Sequence, residues 1–163
     1  MPKDTMPAVK KFWNDIAVDF DAIYTGADKG AISRAMNRFF RKDIYQRFDW
    51  VMQNSGDVKG KNICDIGCGY GETARLFSSR YGVFLEGVTI SESQFRIATA
   101  RSAPGVSIRL CDWLQSGFPD RHFDSACAIE SSEHIGDKQT FFSEAFRVLR
   151  PGGRLVVCAW LAK

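Results

Sequence analysis

The sequence lacks the features that mark several large classes of protein. No apolar run approaches the roughly 18 residues that a membrane span needs. The first residues, MPKDTMPAVKKFWND, contain no apolar stretch typical of a signal peptide. There is no internal repeat, low-complexity tract or Pro/Ser-rich linker. These absences predict a soluble protein with one sizeable core and a cytoplasmic location.

Residues that bind metals are also sparse. The chain has two histidines, His122 and His134, and five scattered cysteines without a CxxC pair: Cys64, Cys68, Cys111, Cys127 and Cys158. This pattern fits neither a disulfide framework nor a zinc site, so we expect no metal, and reduced thiols that pack as small apolar side chains. The net charge of +3 is too small to indicate nucleic-acid binding.

What the sequence does contain is an N-terminal helical arm, residues 1–58, followed by an alternating α/β body, residues 59–163. Within the arm, residues 32–52 carry apolar side chains at helical spacing, with basic side chains between them: Arg34, Arg38, Arg41 and Lys42. This pattern predicts an amphipathic helix with a basic side, which also suits a lipid surface.

In the body, five short apolar runs predict buried strands at residues 62–66, 83–89, 106–110, 123–129 and 154–160. Helices are predicted at 72–80, 92–101 and 138–149, because each pattern stops at glycine or proline. Ser91 with Gln94 matches a capping box, and Asp137 is placed to cap the third helix. Residues 111–122 are too few and too rich in turn formers for a full helix. Repeated strand, helix and strand indicate a parallel sheet with a ligand crevice beyond its carboxyl ends.

The first strand runs into a glycine-rich turn, Asp65-Ile66-Gly67-Cys68-Gly69-Tyr70-Gly71-Glu72. Such a turn lets the backbone pass close to a ligand and leaves free amides at the start of the next helix. The spacing is GxGxG rather than GxGxxG, and Thr89 stands where a dinucleotide-binding protein has its ribose-binding acid. A dehydrogenase is therefore not indicated, and the absence of GK[ST] excludes a P-loop.

Several motifs carry a family resemblance. CDIGCGYG at 64–71 resembles the first motif of class I S-adenosylmethionine-dependent methyltransferases, and FDSACAIESSEHIGDKQTFFSEAFRVLRPGGRLVV at 123–157 resembles their later motifs in the right order. GVTIS at 87–91, followed by Gln94, resembles the branch with tocopherol, sterol and cyclopropane-lipid methyltransferases, and residues 111–138 are most similar to the tocopherol type. The resemblance covers roughly residues 60–162.

The resemblance implies a Rossmann-like sheet with strand order 3-2-1-4-5, S-adenosylmethionine as cofactor, and a small, largely apolar acceptor. That acceptor is a prenylated phenol or quinone precursor, a sterol or another lipid, with methylation on carbon favoured over oxygen or nitrogen. The alternative is a non-catalytic S-adenosylmethionine-binding or scaffold module of the same fold. Phe20 and Tyr24 of the arm are expected to cover the cofactor.

Cofactor-binding roles follow from the resemblance, motif by motif. The three loop glycines line the methionine end of the cofactor, and Asp65 reaches its amino group directly or through water. The end of the second strand lies along the ribose, and Asp112 accepts from the adenine amino group. Trp113 offers its backbone amide and a ring face. The full set is Asp65, Gly67, Cys68, Gly69, Gly71, Thr89, Ile90, Gln94, Asp112, Trp113, Glu130 and Ser131.

Each role has a purely structural alternative. The glycines serve the turn, Asp65 ties down the loop, Thr89 is a good strand residue, and Asp112 caps the next turn.

Glu130, Glu133 and His134 follow the fourth strand and are the candidate catalytic residues, because they form the cluster at the crevice suited to general-base work. Residues 130–132 should border the methyl-transfer site. In the similar cyclopropane-lipid enzymes, the counterparts of Glu133 and His134 hold a bicarbonate base. The alternatives are that the tocopherol-like branch only positions a phenol and that Glu133 is an ordinary acid at a helix start. His122 is predicted to be a solvated loop residue.

Proteins of the resembled family carry seven strands, whereas five are predicted here. We therefore expect strands 6 and 7 to be missing and the chain to be a fragment of a longer protein. The fifth strand would then present an apolar edge through which the chain self-associates.

Overall fold

A five-stranded parallel sheet organises the chain. The computed structural model describes residues 6–16, 46–101 and 103–160. The strands are β1 (Asn62–Ile66), β2 (Phe84–Thr89), β3 (Val106–Leu110), β4 (Phe123–Ile129) and β5 (Leu149–Cys158). Their order is β3-β2-β1-β4-β5 and every pairing is parallel. The predicted Rossmann-like α/β sheet is confirmed.

Helices pack against both faces of this sheet. They are α1 (Met6–Asp15), α2 (helical residues 46–54), α3 (Glu72–Tyr81), α4 (Glu92–Ala100) and α5 (Lys138–Val148). Short 3-10 turns lie at Trp113–Gln115 and Ser132–His134. The connection from β3 to β4 contains only the first of these turns, as predicted.

The sequence patterns located most helix ends correctly. Asp137 caps α5, since its Oδ1 accepts from the Thr140 backbone N–H at 2.9 Å. Ser91 caps α4, with its Oγ accepting from the Gln94 N–H at 3.2 Å. The predicted capping box is only half formed, because the Gln94 side chain turns to Thr89, whose Oγ1 donates to Gln94 Oε1 at 2.9 Å.

The fifth strand differs from the prediction of 154–160. Pro151-Gly152-Gly153 was expected to separate helix from strand, and α5 does end at Val148. The strand nevertheless begins at once, because Leu149 already pairs with Phe123. An irregularity follows, after which regular pairing resumes from Ser125 and Arg154. The Pro-Gly-Gly segment thus forms a bulge within β5 rather than a loop before it.

Two apolar layers hold the sheet. On one face, Phe141 of α5 packs with Trp113 and Phe118 of the β3–β4 connection. On the other face, Phe48 of α2 packs with Phe77 of α3. The central strands are therefore buried on both sides, which explains why their sequences are continuous apolar runs.

The predicted arm is described only in part. The predicted helix 32–52 is confirmed where it overlaps α2, which runs on to residue 54. Its basic residues and the aromatics proposed to cover the cofactor lie outside the described residues: Arg34, Arg38, Arg41, Lys42, Phe20 and Tyr24. None of the described helices has the length and apolar character that a membrane crossing requires. Membrane contact and self-association through β5 therefore stay predictions.

Candidate functional site

A pocket lies beyond the carboxyl ends of β1, β2 and β4, with α1 and α2 as its cover. Each of these strands ends in a turn whose side chains or backbone face the same space. The lining residues are Val9, Trp13, Arg47, Phe48, Asp65, Ile66, Gly67, Cys68, Gly69, Tyr70, Glu72, Thr73, Val88, Thr89, Ile90, Gln94, Cys111, Trp113, Ile129, Glu130, Ser131, His134 and Ile135. The predicted crevice is thus a real cavity in the fold.

The glycine loop forms the floor of this pocket. Gly67 has a φ of 78°, and a Cβ built on it would lie 2.3 Å from Ser131 Cβ, so only glycine lets the loop approach the end of β4. Gly69 has a φ of 54°, and a Cβ there would meet only Gln94 Nε2, at 3.9 Å. A side chain at Gly69 would therefore project into open pocket. Cys68 N–H donates to Val88 O at 2.9 Å and holds the loop against β2.

Asp65, the penultimate residue of β1, is a buried carboxyl group at the pocket wall. The residue is only 2% exposed. Its Oδ1 accepts from the Cys127 thiol at 3.8 Å, whereas Oδ2 has no hydrogen-bond partner among the described residues. Burial raises the pKa of Asp65 from 3.8 to about 7, and the hydrogen bond from Cys127 opposes that rise. A buried oxygen without a partner is suited to receive a cationic group of a ligand.

The end of β2 supplies an ordered polar pair. Thr89 and Gln94 are both buried and are joined by the hydrogen bond described above. Thr89 Oγ1 also accepts from the Ser91 N–H at 3.2 Å, so the turn into α4 is fixed. Both residues line the pocket together with Ile90, as the predicted ribose position requires.

The predicted adenine residues are placed differently from each other. Trp113 lines the pocket, but its indole is buried and its Nε1–H donates to Phe141 O at 3.2 Å. Asp112 Oδ1 accepts from the Leu114 N–H at 2.9 Å and caps the 3-10 turn. Asp112 is not among the lining residues, and neither is Gly71, which forms the N-cap of α3. The structural alternative accounts for the contacts of Asp112 and Gly71.

Glu130 is held at the pocket rim by two other segments. Its carboxylate pairs with Arg47 of α2 and accepts from the Trp160 Nε1–H at 2.9 Å. The Arg47 guanidinium also lies over the Trp160 ring, 5.4 Å from its centroid. Glu130 itself has a φ of 51°, a strained value for a residue with a side chain. We call Arg47, Glu130 and Trp160 the rim cluster.

The next residues connect β4 to β1 and carry the remaining catalytic candidates. Ser131 Oγ donates to Ile66 O at 2.5 Å, which ties the two strand ends together. His134 lines the pocket, and its ring packs edge-on against Trp13, with centroids 5.4 Å apart. Glu133 instead points toward the end of the chain, where its Oε1 accepts from the Trp160 N–H at 3.5 Å. Glu130 and His134 therefore line the pocket, whereas Glu133 does not and keeps a buried Oε2 without a hydrogen-bond partner among the described residues.

The N-terminal arm was predicted to cap the cofactor site through Phe20 and Tyr24, but no helix was predicted at the position of α1. Val9 and Trp13 line the pocket, Lys10 Nζ lies 2.8 Å from Glu92 Oε1, and Asn14 Oδ1 accepts from Ser91 Oγ at 2.6 Å. The helical spacing of Val9, Phe12 and Trp13 indicates an amphipathic helix, but it does not reveal that this helix docks on the start of α4.

Known proteins are similar to the chain over most of the α/β body. A family model described as a methyltransferase domain matches residues 64–157. A probable tocopherol O-methyltransferase of Oryza sativa subsp. japonica is 36% identical over 115 residues, which are 68% of this chain and 32% of that protein. Sterol 24-C-methyltransferase ERG6A of Gibberella zeae is 33% identical over 127 residues, 75% of this chain and 33% of that protein.

A solved structure shares the fold. Geranyl diphosphate C-methyltransferase of Streptomyces coelicolor A3(2), in complex with Mg²⁺, geranyl diphosphate and S-adenosylhomocysteine, matches with a TM-score of 0.65 and 28% identity. The match covers 69% of this chain and 44% of that one. This chain spans about a third of the length of the two curated relatives above.

The residues present fit S-adenosylmethionine. Asp65 would meet its ammonium group, because Oδ2 is buried at the pocket wall without a partner. The backbone of the glycine loop would run beside its methionine end, because a Cβ at Gly69 points into open space. Thr89 and Gln94 would flank its ribose. These individual roles stay predictions.

We expect Gly69→Val to abolish binding of S-adenosylmethionine, because a branched side chain would fill the space beside the loop. Gly60→Val is the matched control, since Gly60 also has a positive φ of 68° and nothing within 4 Å of a built Cβ, but lies outside the pocket. Both variants bear the same type of backbone strain. Calorimetric titration of the two folded variants decides the matter, and normal binding by Gly69→Val would show that the site is misplaced.

We expect the affinity for S-adenosylmethionine to fall as the pH is lowered from about 7.5 to 5.5. Asp65, with a pKa of about 7, takes up a proton in this window and must lose it to bind an ammonium group. The loss approaches tenfold per pH unit below that pKa, while the ligand's amino group stays protonated below about 7.7. Asp65→Asn should bind more weakly and without this pH dependence in the same titration.

The raised pKa of Asp65 also makes the free energy of unfolding depend on pH. The folded state holds the Asp65 proton more tightly than the unfolded state. The contribution of Asp65 to the free energy of unfolding is therefore greatest below pH 3.8 and is lost as the pH rises to about 7.

An affinity for S-adenosylmethionine that does not change with pH in the unmodified protein would contradict the assignment of Asp65.

Proposed function

The chain belongs to the methyltransferase domain family, and on that premise we propose that it transfers a methyl group from S-adenosylmethionine to a small, largely apolar acceptor. The observation that carries the proposal is the composition of the pocket. Its floor is the glycine loop with the buried carboxyl of Asp65, and its cover is mainly apolar, with Val9 and Trp13 of α1 and Phe48 of α2 beside Arg47.

The apolar cover favours an acceptor of matching character. Ile129 and Ile135 extend the apolar wall beside His134, so a prenylated phenol, a quinone precursor, a sterol or another lipid would bury apolar surface there. The relatives named above act, by their names, on tocopherol, sterols and geranyl diphosphate, which supports the same class. By their names these proteins include both oxygen and carbon methyltransferases, so methylation on carbon stays a proposal.

The chain's main contribution is positioning. When bound, S-adenosylmethionine supplies a methyl group attached to a sulfonium sulfur. That sulfur leaves as a neutral thioether, so the protein need not activate the donor. The loop and the cover helices hold two reactants in one cavity and exclude water from it. Such positioning contributes on the order of 7 to 11 kcal/mol to lowering a barrier.

The remaining task is to accept a proton from the acceptor. His134 is the candidate that the geometry favours, because its imidazole lines the pocket beside Trp13. An imidazole nitrogen there would take the proton of a phenol, or of the ring carbon after methylation. Glu130 pairs with Arg47 and accepts from Trp160. Glu133 Oε1 accepts from the Trp160 backbone N–H, while its buried Oε2 has no hydrogen-bond partner among the described residues, so Glu133 stays a second candidate base.

The engagement of Glu130 by Arg47 and Trp160 favours a second candidate function, a non-catalytic module that binds S-adenosylmethionine. The two functions make the same prediction for cofactor binding. They differ only in turnover.

The test is incubation of the full chain with S-adenosylmethionine carrying a deuterated methyl group and, in parallel, a prenylated hydroquinone, a sterol and an unprenylated phenol. We expect label in the prenylated or sterol product, on carbon, as mass spectrometry and NMR would show. Label on oxygen would overturn the proposal that the acceptor is methylated on carbon. Cofactor binding without product from any acceptor would leave the non-catalytic module.

We expect His134→Gln to lower turnover about 10²- to 10⁴-fold, the usual contribution of a general base, with the cofactor Kd changed by less than about threefold. A base acts in the transition state, so affinity for the donor should survive its loss. His122→Gln is the matched control, because His122 contacts Glu86 at 2.8 Å and does not line the pocket. Equal losses of turnover and affinity at His134 would assign it a structural role.

A further inference from the structure

Cys127 faces Asp65 from the neighbouring strand. The two residues are register partners in the parallel pairing of β1 with β4, so their side chains leave the sheet on the same face. Both are almost fully buried, at 1% and 2% exposure. The thiol donates to Asp65 Oδ1 at 3.8 Å, which leaves Oδ2 as the oxygen without a partner.

We propose that Cys127 is a positioning residue for cofactor binding. Its thiol holds one oxygen of the Asp65 carboxyl group so that the other is presented to the ammonium group of S-adenosylmethionine. The inference rests on the cofactor named in the proposed function and extends it to a residue outside the glycine loop.

The thiol remains a donor at neutral pH. Burial, followed by the neighbouring Asp65 charge, raises the pKa of Cys127 well above its ordinary value, so the sulfur keeps its proton. Burial likewise raises the pKa of Cys68 in the glycine loop and of Cys64, which precedes Asp65 on β1. The thiols nearest to Asp65 are therefore all neutral.

Charged groups lie at other parts of the pocket wall. They are Glu72 at the start of α3, Arg47 on α2, Glu130 after β4 and the titratable His134. Of the side chains that the structure describes around Asp65, Cys127 is the one that donates a hydrogen bond to its carboxyl. Because a thiol is a weak donor, it orients this group while burial still keeps the pKa of Asp65 high.

The experiment compares two ligands that share the adenosine part and the S-methyl group. S-adenosylmethionine is a sulfonium that carries the amino-acid chain with the ammonium group, whereas 5′-methylthioadenosine is a neutral thioether without that chain. Cys127→Ala should weaken S-adenosylmethionine about 2- to 12-fold, the range for one net hydrogen bond, and leave methylthioadenosine within about twofold. Calorimetric titration of the full chain measures both.

Cys64→Ala is the matched control. Cys64 is equally buried and adjacent to Asp65, but it packs in the apolar layer on the opposite face of the sheet. The same atom is deleted without loss of a contact to Asp65, so both ligands should bind as in the unmodified chain.

A pH series separates positioning from packing. Loss of the thiol bond removes an interaction that lowers the pKa of Asp65, so Cys127→Ala should move the midpoint of S-adenosylmethionine binding to higher pH. Cys127→Ser, which keeps a donor, should restore part of the affinity and return the midpoint toward lower pH. The serine variant also carries the test if the alanine variant does not fold.

The failures are distinguishable. If the unmodified chain binds methylthioadenosine but not S-adenosylmethionine, the assigned cofactor and the proposed function fall with this inference. If the unmodified chain binds both and Cys127→Ala binds them equally well, with an unchanged midpoint, only the role of Cys127 is overturned. Equal weakening of the two ligands would also overturn it, because that result describes a general packing defect.

Discussion

The burial of one carboxyl group, Asp65, is the constraint on which the site depends. A carboxylate inside a protein is costly unless it is paired, and here one weak donor and an unpartnered oxygen leave that cost largely unmet. The position is tolerated because β1 is the central strand, fixed by β2 on one side and β4 on the other. A cationic ligand would give Asp65 Oδ2 the partner that the described residues do not supply, so the feature that weakens the empty protein would strengthen the complex.

The sequence predicted the elements whose signals are local. Central strands were recognised because burial on both faces produces short apolar runs, and the loop was recognised because Gly67 and Gly69 stand where a side chain would collide or obstruct. The start of β5 was misjudged because Pro-Gly-Gly ends a helix and also fits a bulge, and only the pairing of Leu149 with Phe123 distinguishes the two.

The site was harder to predict where a role depends on distant partners. Nothing local to Glu130 or Glu133 reveals that Arg47 and Trp160 engage them, and the capping contact of Asp112 was one of two readings the residues allowed. The arm was expected to cover the cofactor, but the docking of α1 was not predicted, since it depends on Asn14 meeting Ser91, 77 positions along the chain. Roles that depend on backbone conformation were therefore easier to infer than roles that depend on side-chain contacts between residues far apart in sequence.

The rim cluster has a consequence for how this sequence varies among its relatives. Glu130 occupies a left-handed conformation that costs roughly 1 to 2 kcal/mol for a residue with a side chain. Its contacts with Arg47 and Trp160 offset that strain, so without either partner glutamate is no longer favoured at position 130. Glycine relieves the strain at once. Positions 47, 130 and 160 should therefore change together in evolution, and glycine or asparagine should appear at position 130 in relatives that lack the arginine or the tryptophan.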